Sequence, residues 1–183
     1  MESVLVTGGA GYIGSHACKQ LARGGFRPVA YDNLSLGHRW AVRWGPLVEG
    51  ELADRARLES ACREHGVVAV MHFAALASVA ESVAHPERYF RNNVAGTLTL
   101  LEAMLAVGVR CLVFSSTAAT FGTPEAALIT EDHPQRPINP YGASKLMVER
   151  MLQDFGVAHG LRSVALRYFN AAGADPEAET GEV

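Results

Sequence analysis

The chain has 183 residues, of which 49% are hydrophobic and 19% are charged, a balance typical of a globular domain rather than a disordered segment. Its formal net charge is −3, so the basic excess expected of a nucleic-acid-binding protein is absent. No apolar run reaches the ~20 residues needed to cross a bilayer, and the N-terminus lacks the basic region of a signal peptide. We therefore expect a cytoplasmic protein with neither a nucleic-acid nor a membrane partner.

Short apolar runs alternate with longer helical patterns along the chain, the order typical of a parallel sheet covered by helices. Strands are predicted at Ser3–Thr7, Arg27–Tyr31, Leu47–Glu49, Val67–Phe73, Cys111–Ser115 and Ser163–Arg167. Helices are predicted at Tyr12–Arg23, Asp54–His65, Pro86–Val107 and Pro140–His159. The strand runs are apolar almost throughout, as expected when both faces of a sheet are buried. The predicted fold class is α/β, a Rossmann-type doubly wound parallel sheet with helices on both faces.

Two segments show neither a helix nor a strand pattern. Thr123–Asn139 is rich in proline and is predicted to be a long loop, a kind of segment that is often functional. The tail Ala174–Val183 is acidic and polar, and we expect it to be a connection rather than the end of a domain. Cys18, Cys62 and Cys111 fit neither a disulfide framework nor a zinc site, and the histidines are scattered, so we expect no metal site.

A glycine-rich turn directly follows the first predicted strand and opens the first predicted helix. Gly8, Gly11 and Gly14 give the spacing GxxGxxG. Gly8 permits the tight turn, Gly11 lets backbone N–H groups approach a pyrophosphate, and Gly14 lets the helix pack against the strand. Asp32 follows the second strand, where a carboxylate can bind both ribose hydroxyls and repel a 2′-phosphate. This pattern predicts NAD as the cofactor rather than NADP.

A second pattern, Tyr-x3-Lys, opens the last predicted helix. Tyr141 and Lys145 lie one turn apart on the same face, so the ammonium is expected to favour the phenolate of a base whose ordinary pKa is about 10. Thr117 follows the fifth strand, on the side of an open α/β sheet where ligands bind. Its hydroxyl is expected to bond the reacting oxygen and share a proton with Tyr141. Together these groups predict proton transfer with a sugar hydroxyl.

The chain resembles the extended short-chain dehydrogenase/reductases and, within them, the UDP-glucose (UDP-galactose) 4-epimerases. The matching stretches, in family order, are VLVTGGAGYIGSH, YDNLSLGH, HFAALASVAESV, NNVAGTL, FSSTAATFG, NPYGASKLMVE and ALRYFNAAGADP. The resemblance implies an isomerase of galactose metabolism with tightly bound NAD, which oxidises C4 of a UDP-hexose transiently and returns the hydride to the opposite face. It also implies a homodimer formed through the helices near 86–107 and 140–159.

The resemblance further implies which residues touch the ligands. Cofactor contacts are implied for Gly8, Gly11, Tyr12, Ile13, Gly14, Asp32, Asn33, Leu34, Ser35, Glu51, Leu52, Phe73, Ala74, Ala75, Asn92, Ser115, Tyr141, Lys145 and Phe169. Catalytic roles are implied for Thr117, Tyr141 and Lys145, and UDP-sugar contacts for Thr117, Tyr141 and Asn170. Family members continue well past this length. We therefore expect residues 1–183 to form an NAD-binding Rossmann domain, with the C-terminal substrate domain largely missing and activity weak.

Two other functions stay open. A nucleotide-sugar 4,6-dehydratase or decarboxylase also oxidises C4, but the dehydratases carry Thr-Asp-Glu where this chain has Thr117-Ala118-Ala119. Alanine can do no acid–base work, which argues against dehydration. A catalytically silent NAD-binding module would keep the glycines and Asp32, but it has no need of Thr117, Tyr141 and Lys145 together.

Overall fold

The structure, a computed structural model, describes residues 1–182. One sheet of parallel strands is formed by β1 (Ser3–Thr7), β2 (Arg27–Asp32), β3 (Leu47–Glu49), β4 (Val67–His72), β5 (Cys111–Thr117) and β6 (Arg162–Tyr168). The strand order is β3-β2-β1-β4-β5-β6. This is the order of the Rossmann dinucleotide-binding fold, so the predicted fold class is confirmed. Every predicted strand is present, with ends shifted by at most two residues.

Six α-helices accompany the sheet in residues 1–182: α1 (Tyr12–Arg23), α2 (Arg55–His65), α3 (Val79–Ala84), α4 (Pro86–Tyr89), α5 (Gly96–Ala106) and α6 (Pro140–His159). The starts of α2 and α6 are fixed by side-chain caps, because Asp54 accepts a hydrogen bond from Arg57 N and Asn139 accepts one from Gly142 N. Both helices end at a glycine in the left-handed conformation, which gives them the boundaries that the sequence pattern indicated.

The core lies on both faces of the sheet. Successive residues of a strand point to opposite faces, and β1 shows this directly. Leu5 packs in a large cluster with side chains of α2, α5 and α6, whereas its neighbours Val4 and Val6 pack in a smaller cluster with Cys18 of α1. The apolar strand runs of the sequence therefore bury one set of side chains under α1 and the other under the three helices opposite.

The single helix predicted at Pro86–Val107 is interrupted. A π-helical turn, Phe90–Ala95, separates α4 from α5. Within it Asn93 is buried, and its side chain bonds both the N–H and the C=O of Leu76. The prediction failed here because hydrophobic periodicity does not distinguish a π turn from an α turn. Helix α3 was also missed, because six residues are too few to show a helical period.

The tail folds back onto α1, which the sequence did not predict. Its described part, residues 174–182, has no helix or strand, as expected; Val183 lies outside the described residues. Lys19 of α1 is 1% exposed, and its Nζ lies 2.6 Å from Asp175, 2.5 Å from Glu177 and 2.9 Å from Glu179. These carboxylates surround the ammonium and fasten the tail to the helix that follows the glycine turn.

The loop predicted at Thr123–Asn139 contains neither helix nor strand. Cys18, Cys62 and Cys111 are free thiols, and burial raises the pKa of Cys18 to about 12 and that of Cys62 to about 11. The buried thiols of Cys18 and Cys62 are therefore inert at neutral pH. None of the helices within residues 1–182 is both long enough and apolar enough to cross a membrane.

Candidate active site

A cavity of about 420 Å³ opens beyond the carboxyl ends of the strands, next to β1 and β4 where the strand order reverses. Most residues with an expected cofactor contact line it: Gly8, Gly11, Tyr12, Ile13, Gly14, Asp32, Asn33, Ser35, Glu51, Leu52, Phe73, Ala74, Ala75, Asn92, Ser115, Tyr141 and Lys145. The parallel sheet thus brings together side chains that are far apart in the sequence. The glycine turn lies at one end of this cavity and the Tyr-x3-Lys pair at the other, and we call these the glycine end and the tyrosine end.

At the glycine end the backbone leaves no room for side chains at two positions. Gly8 has a φ of +73°, and a Cβ on it would lie 2.6 Å from the backbone N of Ala74. A Cβ on Gly14 would lie 2.0 Å from the carbonyl oxygen of Gly8. Gly11 is different, because its nearest neighbouring atom would be 3.4 Å away. It is also the N-cap of α1 and provides no side-chain cap. The positive end of the helix therefore faces the cavity, a typical phosphate-binding arrangement.

The carboxylate of Asp32 is held in place by the backbone. One oxygen accepts a hydrogen bond from Ala10 N at 3.0 Å and the other from Leu34 N at 2.9 Å. Asp32 is 8% exposed and lines the cavity beside Asn33, whose amide donates to Glu51 at 3.0 Å. This position suits the predicted recognition of ribose hydroxyls. Leu34 is not part of the cavity wall.

At the tyrosine end, Lys145 is buried and its Nζ donates a hydrogen bond to the carbonyl of Ser115 at 2.8 Å. Burial lowers the pKa of Lys145 to about 7. Nζ lies 6.0 Å from the ring centroid of Tyr141. Because no carboxylate within residues 1–182 pairs with this ammonium, it carries only part of its charge at neutral pH.

Burial raises the pKa of Tyr141, while the contact with the Thr117 hydroxyl acts in the opposite direction. Thr117 is buried at the end of β5 and also accepts a hydrogen bond from Ala119 N at 3.1 Å. It is not among the residues that line the cavity. The contact with Thr117 lowers the pKa of the phenol, and the effect of Lys145 on the phenolate stays a prediction.

Two expected ligand residues lie away from the cavity. Phe169 is 71% exposed and Asn170 is also exposed, and neither lines the wall. The physical reason is that β6 ends at Tyr168, after which the chain leaves the edge of the sheet. Neither residue is covered by the part of the chain that the structure describes.

Several lining residues were not predicted. Tyr168 is paired with Thr117 in the β5–β6 register, and its hydroxyl bonds that of Ser115. Strand alternation from Thr117 could have indicated this. Glu182 reaches the wall because the tail folds back, for which the sequence gives no signal. The remaining unpredicted lining residues are Tyr31, Leu36, Gly37, Gly50, Leu76 and Ala77.

The chain is similar to known proteins over nearly its whole length. The model of a family described as "NAD dependent epimerase/dehydratase family" matches residues 4–183. A UDP-glucose 4-epimerase of Rhizobium leguminosarum bv. trifolii is 56% identical over 181 residues, which is 99% of this chain and 55% of the relative. A UDP-glucose 4-epimerase of Azospirillum brasilense is 57% identical over 180 residues, which is 98% of this chain and 52% of the relative.

Solved structures of UDP-glucose 4-epimerases are also similar to this chain. A UDP-glucose 4-epimerase from Brucella ovis in complex with NAD has a TM-score of 0.98 and 55% identity, covering 100% of this chain and 56% of that chain. One from Bifidobacterium longum in complex with NAD⁺ and UDP has a TM-score of 0.94 and 38% identity, covering 98% of this chain and 57% of that chain. The chain spans about half the length of the curated relatives it matches.

Proposed function

The chain belongs to the NAD dependent epimerase/dehydratase family, and from this premise we propose that it is the NAD-binding domain of a UDP-glucose/UDP-galactose 4-epimerase. The prediction of NAD is confirmed at the level of the family, and the structure of the Brucella ovis relative is a complex with NAD. One observation carries the proposal: a single cavity joins the glycine turn and Asp32 to Tyr141 and Lys145.

The glycine end fits a dinucleotide. A Cβ would collide with backbone at Gly8 and Gly14, whereas a Cβ on Gly11 at the start of α1 would come no closer than 3.4 Å to a neighbouring atom. The backbone there can approach a pyrophosphate closely, and Asp32 can bind the adenosine ribose. We assign cofactor binding to the predicted residues that line the cavity. Bound NAD⁺ would supply a hydride acceptor and a positive charge beside the phenol.

The tyrosine end fits proton transfer. We propose that Tyr141 takes the proton of the sugar 4-hydroxyl and later returns it, with Thr117 bonding the same oxygen. Because burial raises the pKa of Tyr141, the phenolate needs nearby positive charge or hydrogen-bond donors to form. Lys145 offers its ammonium when protonated, and it can also hold a ribose hydroxyl.

The partners of the chain are part of the same proposal. A UDP-sugar is the proposed substrate, with Asn170 as a contact suggested by family resemblance alone. A homodimer through α5 and α6 is supported by Leu98 and Met147, which are 39% and 47% exposed on these helices. Dehydration is disfavoured because Ala118 and Ala119, which follow β5, provide no carboxylate.

The test is to load the protein with NAD⁺, add UDP-galactose and follow the absorbance of NADH. We expect a signal in the wild type that Tyr141→Phe slows by roughly 10²-fold or more, the usual contribution of a general base. Asp154→Asn, a change on the exposed side of α6, is the matched control and should leave the rate unchanged. NAD binding without any NADH signal would favour a silent module, and failure to bind NAD would overturn the whole proposal.

A further inference from the structure

A buried carboxylate lies on the same face of α6 as the reactive pair. Glu149 is one turn beyond Lys145 and two turns beyond Tyr141, and it is 4% exposed. It accepts hydrogen bonds from Arg167 of β6, with Nε at 3.0 Å and Nη2 at 2.7 Å, and from the hydroxyl of Ser116 on β5. One side chain of α6 is therefore bonded to two strands at once.

These strand contacts adjoin the reactive residues. Ser116 pairs with Arg167 in the β5–β6 register, and the next pair is Thr117 with Tyr168. Ser116 and Arg167 both bond Glu149, and the pair of Thr117 and Tyr168 directly follows them along the two strands. Any movement of the strand ends relative to α6 would move Thr117 relative to the phenol that α6 carries.

The same carboxylate also orders the loop before α6. Gln135 donates to Glu149 at 3.1 Å, and Arg167 donates to the carbonyl of Glu131 at 3.3 Å. This loop leads into Asn139, the N-cap of α6, and so into the turn that holds Tyr141. The network therefore connects both segments that determine the position of the phenol.

Glu149 is ionised within this network. Burial opposes its charge, but the hydrogen bonds from Arg167, Ser116 and Gln135 outweigh burial and hold the pKa of the carboxyl below its usual range. A buried ion pair of this kind gives little net stability compared with an apolar replacement. Its value lies in fixing a unique geometry, because each partner has a defined direction.

We propose that Glu149 is a positioning residue, which holds β5 against α6 so that the Thr117 hydroxyl meets the Tyr141 phenol. Its importance for catalysis rests on the proposed function, but the geometric effect does not. The contact with Thr117 lowers the phenol pKa, so loosening the network should raise it.

The experiment measures the pKa of Tyr141 in the NAD⁺-loaded protein and without NAD⁺. Phenolate absorbance is titrated in each variant and in its Tyr141→Phe counterpart, and the difference isolates this one phenol. Glu149→Gln keeps the size of the side chain but removes the charge, and we expect the pKa of Tyr141 to rise by about one unit, comparable to losing one hydrogen bond. Asp154→Asn, which removes an exposed ion pair with Arg150 on the same helix, should cause no shift.

Ser116→Ala keeps the ion pair between Glu149 and Arg167 and removes only the hydroxyl donor. It should therefore raise the pKa of Tyr141 by a smaller amount. If Glu149→Gln does not fold, the pKa of Tyr141 in Ser116→Ala tests the positioning role instead. An unchanged pKa in folded Glu149→Gln, or in Ser116→Ala when only that variant folds, would overturn the positioning role. The titration needs no turnover, so a lack of epimerase activity would count against the proposed function and leave this result intact.

Discussion

The two ends of the cavity are built in different ways, and the two lysines of the chain show the contrast. Lys19, on the helix that follows the glycine turn, is surrounded by three carboxylates of the tail. Lys145, at the tyrosine end, donates to a carbonyl and has no carboxylate partner in the described residues. Both are almost fully buried. Lys19 belongs to a structural ion pair. Lys145 is a buried charge, costly in free energy, next to a phenol, as is typical of functional sites.

The glycine end should be the more sensitive to change because its geometry is fixed by the backbone. In Gly14→Ala the new Cβ would lie 2.0 Å from Gly8 O, so the helix must move away from the turn. We expect a loss of roughly 3 kcal/mol or more of unfolding free energy, at the upper end for overpacked positions, together with the loss of NAD binding. Urea unfolding and calorimetric titration with NAD⁺ measure the two effects.

Gly11→Ala is the matched control for this prediction. Its Cβ would have no protein atom closer than 3.4 Å, so the fold should survive while the pyrophosphate site is narrowed. Stability close to that of the wild type with weakened NAD binding is the expected result. If Gly14→Ala were as stable as Gly11→Ala, the close packing of α1 against the turn would be disproved.

The glycine end could be predicted from the sequence because its determinants are local. The spacing of Gly8, Gly11 and Gly14 follows from one strand, one turn and one helix, although Gly8 also packs against Ala74 after β4. The strands were equally predictable, since burial on both faces leaves continuous apolar runs. The tail contact was not predictable, because nothing in the pattern around Lys19 indicates that carboxylates more than 150 residues later will surround it.

The tyrosine end was predicted only in part. Tyr141 and Lys145 are one turn apart, so their proximity follows from helix geometry. The charge state of Lys145 could not be predicted, because it depends on which groups the fold brings around it. The roles of Glu149 and Arg167 were missed for the same reason, since their contact joins a helix to a strand 18 residues later.

A pH series should sharpen the contrast between the lysines. The pKa of Lys145 is lowered from 10.5 to about 7 in the folded state, so between these values the unfolded chain binds more protons. This group therefore makes the folded state more stable as pH rises through that window, by up to about 1.4 kcal/mol per pH unit. Lys145→Met should remove this slope and raise stability at pH 7, as measured by urea unfolding.

Lys19→Met is the control, because its environment has the opposite effect. The hydrogen bonds that Lys19 donates to Asp175, Glu177 and Glu179 outweigh burial and hold the pKa of Lys19 above its ordinary value. Its stabilising contribution is therefore complete at neutral pH and decreases only at alkaline pH, so Lys19→Met should destabilise the chain at pH 7. If Lys145→Met and Lys19→Met changed the free energy of unfolding in the same direction at pH 7, the two lysines would not differ as described.

The smallest effect is expected at Asp32, which we propose contacts only the adenosine ribose of a dinucleotide. Asp32→Asn keeps the size of the side chain but removes the charge that would repel a 2′-phosphate. We expect NAD affinity to fall about tenfold, which is about 1.4 kcal/mol, and the preference for NAD over NADP to narrow. Calorimetric titration with both cofactors measures the change.

Glu49→Gln serves as the control because Glu49 is exposed on the neighbouring β3 and does not line the cavity. Glu49→Gln should alter the affinity for neither NAD nor NADP. If only Asp32→Asn changes the preference between them, the choice of cofactor is assigned to the Asp32 carboxylate. We expect the effect to be small because the glycine turn is proposed to hold the pyrophosphate common to both cofactors. An unchanged ratio of the two affinities would mean that the backbone of the glycine end, rather than Asp32, determines which dinucleotide binds.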